Sequence, residues 1–278
     1  ERAHTELQRK AARIRRKFAF PKMSLQQLST INSLDSRLIE VNNLGSGKKS
    51  PEIAASLHNV GVLLLKEKRY KDAETLFQKS LTMRESLFGG NDLVLTHSLD
   101  RLASLYYDQK MYSESVTYHK KSLAIKREKL ENGDPVLISS MNRLAIAFRK
   151  NGNLEASESA YREVLAALKE KHDTSHSMIA TAFHNLAVIN SDQGKLSEAL
   201  KHFEQALQLY EDNLGGSHPK VVESLRNIAK VHLDMGNSGE ASSYFLRSQM
   251  AQQYGDLSTS SLNSCELDKC SDLKLRDC

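Results

Sequence analysis

A period of 42 residues runs through the chain from residue 52, and it constrains the fold more than any other feature. Residues of similar size recur every 42 residues at three positions of the repeat, and we call each such set a column. Two columns hold small residues and the third holds a bulky residue in four of the five copies: Gly61, Ala103, Ala145, Ala187 and Ala229; Ala73, Ser115, Ser157, Ala199 and Ala241; Phe77, His119, Tyr161, Phe203 and Phe245. Copies in register without a gap predict an array of stacked supersecondary units and not one globular core.

Each copy contains two stretches whose apolar residues have helical spacing. In the first copy the two stripes are Leu57, Val60, Gly61 and Leu64, and Ala73, Leu76, Phe77, Ser80 and Leu81. A short polar turn separates them. Each copy is therefore predicted to be an antiparallel helical hairpin, in which the small residues let the two helices approach closely.

The turns and joints carry helix-end signals. The third turn position is Gly in the last three copies, as expected of a left-handed residue that ends a helix, and Lys68 or Lys110 in the first two. We expect those two turns to be strained or shaped differently. At the joints, Asp92 and Asp134 are predicted N-caps, and Asp134-Pro135 and His218-Pro219 place Pro at the first helical position.

The order of large, large and small residues, then Ala, aromatic and small, resembles the tetratricopeptide repeat. The residues that show this order in the first copy are Leu57, Val60, Gly61, Ala73, Phe77 and Ser80. The usual repeat has about 34 residues. The longer 42-residue form, with LHNV, FHNLA or LRNIA in the first helix and NGDP or GGSHP in the joint, is similar to repeats of kinesin light chains and nephrocystin-type proteins. The resemblance implies an all-α fold, an α-solenoid of five stacked antiparallel helix pairs (a TPR superhelix), preceded by N-terminal helices.

The predicted organisation has four parts. They are a basic N-terminal helix (1–22), a degenerate leading helix with a linker (23–51), the solenoid (52–254, with repeats 52–93, 94–135, 136–177, 178–219 and 220–254) and a disordered Ser- and Cys-containing tail (255–278). The tail is polar and breaks the period. Because the sequence begins with Glu1, we expect a piece of a longer protein.

The net charge of +5 is unevenly distributed. Residues 1–22 carry a net +6 and the remainder a net −1. The RKAARIRRK segment is open to a targeting, membrane-surface or nucleic-acid role, or to being a solvated leading helix. Nucleic-acid binding is disfavoured, because phosphate contacts need an accumulated positive face that near-neutral repeats lack. No apolar run reaches the length that spans a bilayer, so we expect no membrane insertion and a cytoplasmic protein.

Sequence motifs give little support to catalysis, and we expect no enzyme activity, cofactor or metal. The GSGKK segment lacks the first Gly and the Ser/Thr of a phosphate loop. His172 and His176 have ligand-like spacing without a nearby Cys or an HExxH context. The three cysteines (Cys265, Cys270 and Cys278) match no usual zinc pattern and are interpreted as free thiols.

Binding residues are predicted on the first helix of each copy, opposite its apolar stripe. In the third copy this face holds three cations and no acid. In tetratricopeptide proteins the corresponding face lines a groove for extended peptides, which the resemblance implies here. The candidate residues are Asn59, Arg101, Asn142, Arg143, Arg149, Lys150, Asn185 and Asn227. The arginines would bind carboxylates and the asparagines the peptide backbone; alternatively, Asn ties adjacent helices together and Arg solvates a polar face.

These observations predict a non-enzymatic scaffold or adaptor that binds extended, acidic peptide segments of partner proteins, with the specificity centred on the third repeat. The alternative hypothesis is a sensor or assembly arm of a larger signalling NTPase, of which this chain is a C-terminal fragment.

Overall fold

The computed structural model describes residues 49–170 and 176–271, with side chains through residue 254 except that of His176. The regular elements in these ranges are α-helices, which confirms the predicted all-α fold. In chain order they are α1 (Pro51–Lys66), α2 (Tyr70–Phe88), α3 (Leu93–Asp108), α4 (Tyr112–Lys129), α5 (Pro135–Lys150), α6 (Leu154–Glu170), α7 (His176–Asp192), α8 (Leu196–Leu214), α9 (Pro219–Asp234) and α10 (Ser238–Ser271). The predicted basic helix and nearly all of the leading segment lie outside the described residues.

The chain divides into two compact units, an N-terminal unit (Glu1–Lys129) and a C-terminal unit (Leu130–Cys278). The N-terminal unit contains two helix pairs, α1–α2 and α3–α4, joined by packing of α2 on α3. The C-terminal unit contains three pairs, α5–α6, α7–α8 and α9–α10, and each helix packs on the next along the chain. Within each unit, stacked neighbours bury the faces that a single hairpin would leave exposed.

The small-residue columns lie where the two helices of a pair meet. Ala73, Ala145, Ala187 and Ala199 are fully buried. A Cβ placed on Gly61 would lie 2.7 Å from the ring of Phe77, closer than real contacts allow. The first pair therefore depends on glycine for its close helix approach, whereas other pairs accept alanine in the same column.

Helix starts follow the predicted capping chemistry. The carboxylate of Asp92 accepts a hydrogen bond from the backbone N–H of Val94 at 2.8 Å, and that of Asp134 accepts one from Val136 at 2.7 Å. Proline stands at the start of α5 and α9. Each cap satisfies a backbone donor that has no partner inside the helix.

The turn inside each hairpin has the same left-handed conformation whether it holds lysine or glycine. The φ angles are 58° at Lys68 and 62° at Lys110, against 82°, 75° and 83° at the corresponding glycines Gly152, Gly194 and Gly236. A side chain in this region costs conformational energy. Of the two expectations for the lysine turns, the strained one fits these angles.

The last helix differs from its predecessors in length and exposure. Its backbone stays helical from Ser238 to Ser271, so the segment from 255 that was predicted to be disordered begins inside α10, and residues 272–278 lie outside the described range. The sequence from 238 to 271 contains no proline that would end a helix. Phe245 is 51% exposed, although Tyr161 and Phe203 in the same column are buried, because no further helix covers it within the described residues.

Candidate peptide-binding face

The predicted binding residues lie on the first helices of the pairs, away from the buried stripes. Asn59 is on α1, Arg101 on α3, Asn142, Arg143, Arg149 and Lys150 on α5, Asn185 on α7 and Asn227 on α9. Asn59, Arg101, Arg143 and Lys150 are exposed and the other four are half-buried. The structure divides them between the two units, with Asn59 and Arg101 in the first and the remainder in the second.

The positive charge predicted for the third repeat is partly compensated inside the protein. Arg149 forms an ion pair with Asp192 at the end of α7. Within the described residues, neither Arg143 nor Lys150 makes an ion pair. Two of the three cations on α5 are therefore available to a ligand carboxylate, and Arg149 would first have to give up its partner.

Among the described residues, the asparagine side chains at these positions do not link one helix to another. Among the described residues, the amides of Asn59, Asn185 and Asn227 make no side-chain hydrogen bond to another protein group. Asn142 has a buried Oδ1 without a partner. The helix-tying alternative requires hydrogen bonds that the described part of the chain does not contain, and these amides retain donors and acceptors for a peptide backbone.

A denser group of cations occupies the N-terminal unit. His58 on α1 and His97 on α3 face each other, with ring centroids 6.4 Å apart. Arg84 on α2 and Arg101 on α3 are close enough that their charges lower the pKa of His58. We call His58, Arg84, His97 and Arg101 the cationic cluster.

Arg84 is the buried member of this cluster. Its side chain reaches from α2 to α3, where one guanidinium nitrogen donates to the hydroxyl of Ser98 at 2.7 Å, and the residue is 7% exposed. Ser98 in turn lies 3.2 Å from the hydroxyl of Ser80, which donates to the carbonyl of Ala54. Within the described residues no carboxylate pairs with Arg84, and its guanidinium is hydrogen-bonded to the hydroxyl of Ser98. Burial lowers the pKa of Arg84.

Asp100 is an acid whose charge acts on the cluster, where it raises the pKa of His97, and it already has a partner. The ammonium group of Lys126, only 3% exposed, donates to Asp100 Oδ2 at 2.6 Å. This pair contributes no net charge. The cationic cluster therefore keeps its positive excess, since its own arginines have no carboxylate partner in the described part of the chain.

The histidines of the cluster are held neutral. Burial first, and then the charges of Arg84, Arg101 and His97, lower the pKa of His58 to about 4. For His97, burial and Arg84 lower the pKa, while Asp100 raises it. His58 Nδ1 is buried and has no hydrogen-bond partner. An anion placed here would compensate the arginines and favour protonation of both rings.

The C-terminal unit repeats the histidine without the cluster. His184 on α7 occupies the column of His58 and packs edge-on against Phe203, as His58 packs against Phe77. Tyr210, however, stands where the N-terminal unit has Arg84. Glu223 lies 3.8 Å from the His184 ring and acts to raise its pKa, although burial dominates and lowers it. The equivalent place in the C-terminal unit therefore has an internal acid and no buried arginine.

The charge pattern of the first helices does not reveal His58, Arg84 and His97. Arg84 lies on a second helix, and the histidines carry no formal charge at pH 7. A usable signal is the column of Arg84, which reads Arg84, Lys126, Leu168, Tyr210 and Gln252 in steps of 42. Cations at a position that is buried and holds Leu168 or Tyr210 in the third and fourth repeats mark the first two repeats as different.

Two further findings bear on the sequence predictions. No group of three or more His, Cys, Asp or Glu side chains is placed to hold a metal among the residues searched, and His172 lies outside the described range. None of the described helices is long and apolar enough to cross a bilayer.

Comparison with solved structures identifies helical repeat proteins of the same fold. The nearly identical TPR-like repeats of a protein assigned as a kinesin light chain from Podosopora anserina match at 20% identity, with a TM-score of 0.64, over 74% of this chain and 97% of that one. BtubC (BKLC) from P. vanneervenii matches at 19% identity, with a TM-score of 0.67, over 84% and 93%. Aspartyl phosphate phosphatase F from Bacillus subtilis matches at 16% identity, with a TM-score of 0.63, over 84% and 57%. At these identities the likeness establishes the fold alone.

Sequence comparison assigns the family. The curated proteins include no significant match. The tetratricopeptide repeat profile matches four overlapping segments, residues 52–128, 94–170, 136–212 and 178–249, which together span well over half of the chain. These segments begin at the predicted repeat starts and advance by 42 residues. The chain therefore belongs to the tetratricopeptide repeat family.

Proposed function

We propose that this protein is an adaptor whose first-helix faces bind extended, acidic peptide segments of partner proteins. Membership of the tetratricopeptide repeat family supports a protein-interaction scaffold as the general function. The acidic peptide is the finer part of the proposal. It rests on one observation: Arg101 and Arg143, at equivalent positions of successive repeats, are exposed and, within the described residues, make no ion pair.

Both arginines are suited to carboxylate binding. A guanidinium group offers forked donors that match a carboxylate, and a charge-assisted bond of this kind is stronger than a neutral one. Asn59 and Asn185 lie in the same column and keep their amides unused by the described protein groups, so a bound main chain has donors and acceptors available. The first-helix faces of each unit thus combine charge recognition, by Arg101 in one unit and Arg143 in the other, with sequence-independent backbone contacts.

The test compares binding of a short Glu-rich peptide to the full chain and to the double variant Arg101→Glu/Arg143→Glu, measured by fluorescence anisotropy. We expect the affinity to fall by about tenfold or more, since two attractive contacts become repulsive and each 1.4 kcal/mol corresponds to about a factor of ten. The melting temperature should barely move because both side chains are exposed.

A matched control is Lys71→Glu/Lys201→Glu. It changes the net charge by the same amount on exposed positions of the second helices α2 and α8. The control should retain most of the affinity. Equal losses in both double variants would mean that the peptide responds to overall charge, and an unchanged affinity for Arg101→Glu/Arg143→Glu would remove the groove assignment.

A further inference from the structure

We infer that the cationic cluster of the N-terminal unit is a binding site for an oxyanion, a carboxylate or phosphate carried by a peptide, and that binding is coupled to protonation of His58 and His97. The inference deepens the proposed function and rests on it for the identity of the ligand as a peptide. It relocates the main charge contact from the third repeat to the first two.

The cationic cluster is built into the packing of the helices. Arg84 is buried between α2 and α3, and its guanidinium is oriented by Ser98, which is itself fully buried and linked to Ser80. A buried guanidinium without a carboxylate is costly to keep, because desolvation is not repaid by an ion pair. An incoming anion would supply the missing negative charge.

Two members of the cluster are accessible to a ligand. His97 and Arg101 are exposed on α3, one turn apart, and His58 is half-buried on α1. Arg101 offers forked donors and His97 an imidazole N–H donor at the surface, while the buried Arg84 contributes its charge.

The C-terminal unit differs at the equivalent position. His184 has the same aromatic partner type as His58, but Tyr210 stands in the column of Arg84, and Glu223 opposes the effect of the one nearby cation, Lys220, on the pKa of His184. The C-terminal unit thus provides an internal reference in which the same column carries a histidine without an uncompensated arginine. A specific anion effect should appear at His58 and not at His184.

Protonation is coupled to binding through every charged group that faces the histidines. These groups are Arg84 on α2, Asp100 and Arg101 on α3, and Lys126 on α4, with His58 and His97 facing each other. Burial first, and then these cations, keep the rings neutral in the free protein, and a bound anion would oppose the effect of the cations. The bound form therefore takes up protons, and the affinity should rise as the pH falls from about 7 toward about 5.

The experiment titrates the full chain with sulfate, which keeps its charge across this range, and follows the histidine ring resonances by NMR. We expect the His58 and His97 resonances to move together and saturably at about pH 6, and the His184 resonance to stay in place. Glu-rich and phosphoserine peptides then distinguish the two sources of the anion: the one that binds more tightly identifies the ligand class.

The variant His58→Gln/His97→Gln should lose the pH dependence of peptide affinity and bind about tenfold more weakly near pH 5.5. His184→Gln should keep both the affinity and the pH dependence. Sulfate shifts no larger at His58 and His97 than at His184, together with an unchanged pH profile in the double variant, would overturn the inference. In that case the Arg101→Glu/Arg143→Glu variant could still lose peptide affinity, and this result would support the proposed function. Failure of this site is therefore distinguishable from failure of the proposed function.

Discussion

The two units use the same helical hairpin and differ at one inward-facing column. In the N-terminal unit this column holds Arg84 and Lys126, both buried, and in the C-terminal unit it holds Leu168 and Tyr210, which are equally buried, and then the exposed Gln252 of the last repeat. The hairpin tolerates either chemistry because its packing depends on other columns, those of the small and bulky residues. The difference shows that a repeat can change its internal charge without changing its fold.

The same column affects the histidine beside it. His58 is surrounded by positive groups, and His184 has a carboxylate within 3.8 Å. The N-terminal unit therefore has arginines near His58 without a paired carboxylate in the described part of the chain, whereas the C-terminal unit has the carboxylate of Glu223 near His184. Exchanging the residues that differ between the two units tests this contrast.

Exchanging the column residues should have the largest effect on stability. Tyr210→Arg would bury a guanidinium next to Lys220, whose ammonium lies 5.1 Å from the centre of the Tyr210 ring. We expect it to lower the free energy of unfolding by about 3 kcal/mol, the low end of the cost of an unpaired buried charge, because the exposed carboxylate of Glu223 offsets the new charge only in part. The reverse change, Arg84→Tyr, should cost less than about 1.5 kcal/mol, because Ser98 keeps Ser80 as a partner and a buried charge is removed. Urea unfolding measures both, and equal costs would show that the units do not differ in this way.

A medium effect is expected from pH. The pKa of His58 is about 4 in the folded chain and about 6.5 when unfolded, so the unfolded chain binds the proton more tightly between these values. The stability contributed by the neutral ring is present above about pH 6.5 and is lost as the pH falls toward about 4. The expected loss is about 1 to 2 kcal/mol, less than the full shift would give because the ring is partly solvated.

The control for this effect is the matched histidine. His58→Gln should flatten the fall in stability, measured by urea unfolding at about pH 7 and about pH 4.5. His184→Gln should flatten it less, since Glu223 opposes the lowering of the His184 pKa. A larger change in His184→Gln would reverse the comparison.

The smallest effect concerns the turns. Lys68 and Lys110 hold left-handed angles in the N-terminal unit, where the C-terminal unit has glycine. Lys68→Gly should raise the free energy of unfolding by about 0.5 to 1 kcal/mol, because the relief of strain exceeds the entropy cost of glycine. Gly194→Lys should lower it by a similar amount. Opposite signs in denaturant unfolding would mean that the lysine turns are relaxed.

Local signals in the sequence predicted the fold and not the site. Apart from the end of α10, the helices begin and end where local signals predict. These signals are the 42-residue columns, the caps at Asp92 and Asp134 and the turn glycines, each of which depends on residues near it in the sequence. The cationic cluster depends on Arg84 reaching from one hairpin to the helix of the next, which no single-helix pattern records. The pairing of Arg149 with Asp192 likewise joins residues more than one period apart, so a charge count within the third repeat overstated its free charge.

The exposed Phe245 has a practical consequence for shortening the protein. Phe203, Leu207 and Tyr210 of α8 pack in one core cluster with Val221, Leu225 and Ile228 of α9. A chain ended after Leu214 would expose all three α8 side chains, whereas α10 carries Gln249 and Gln252 in the columns of Leu207 and Tyr210. Truncation by a whole repeat therefore lowers solubility unless the new last helix receives the same two glutamines.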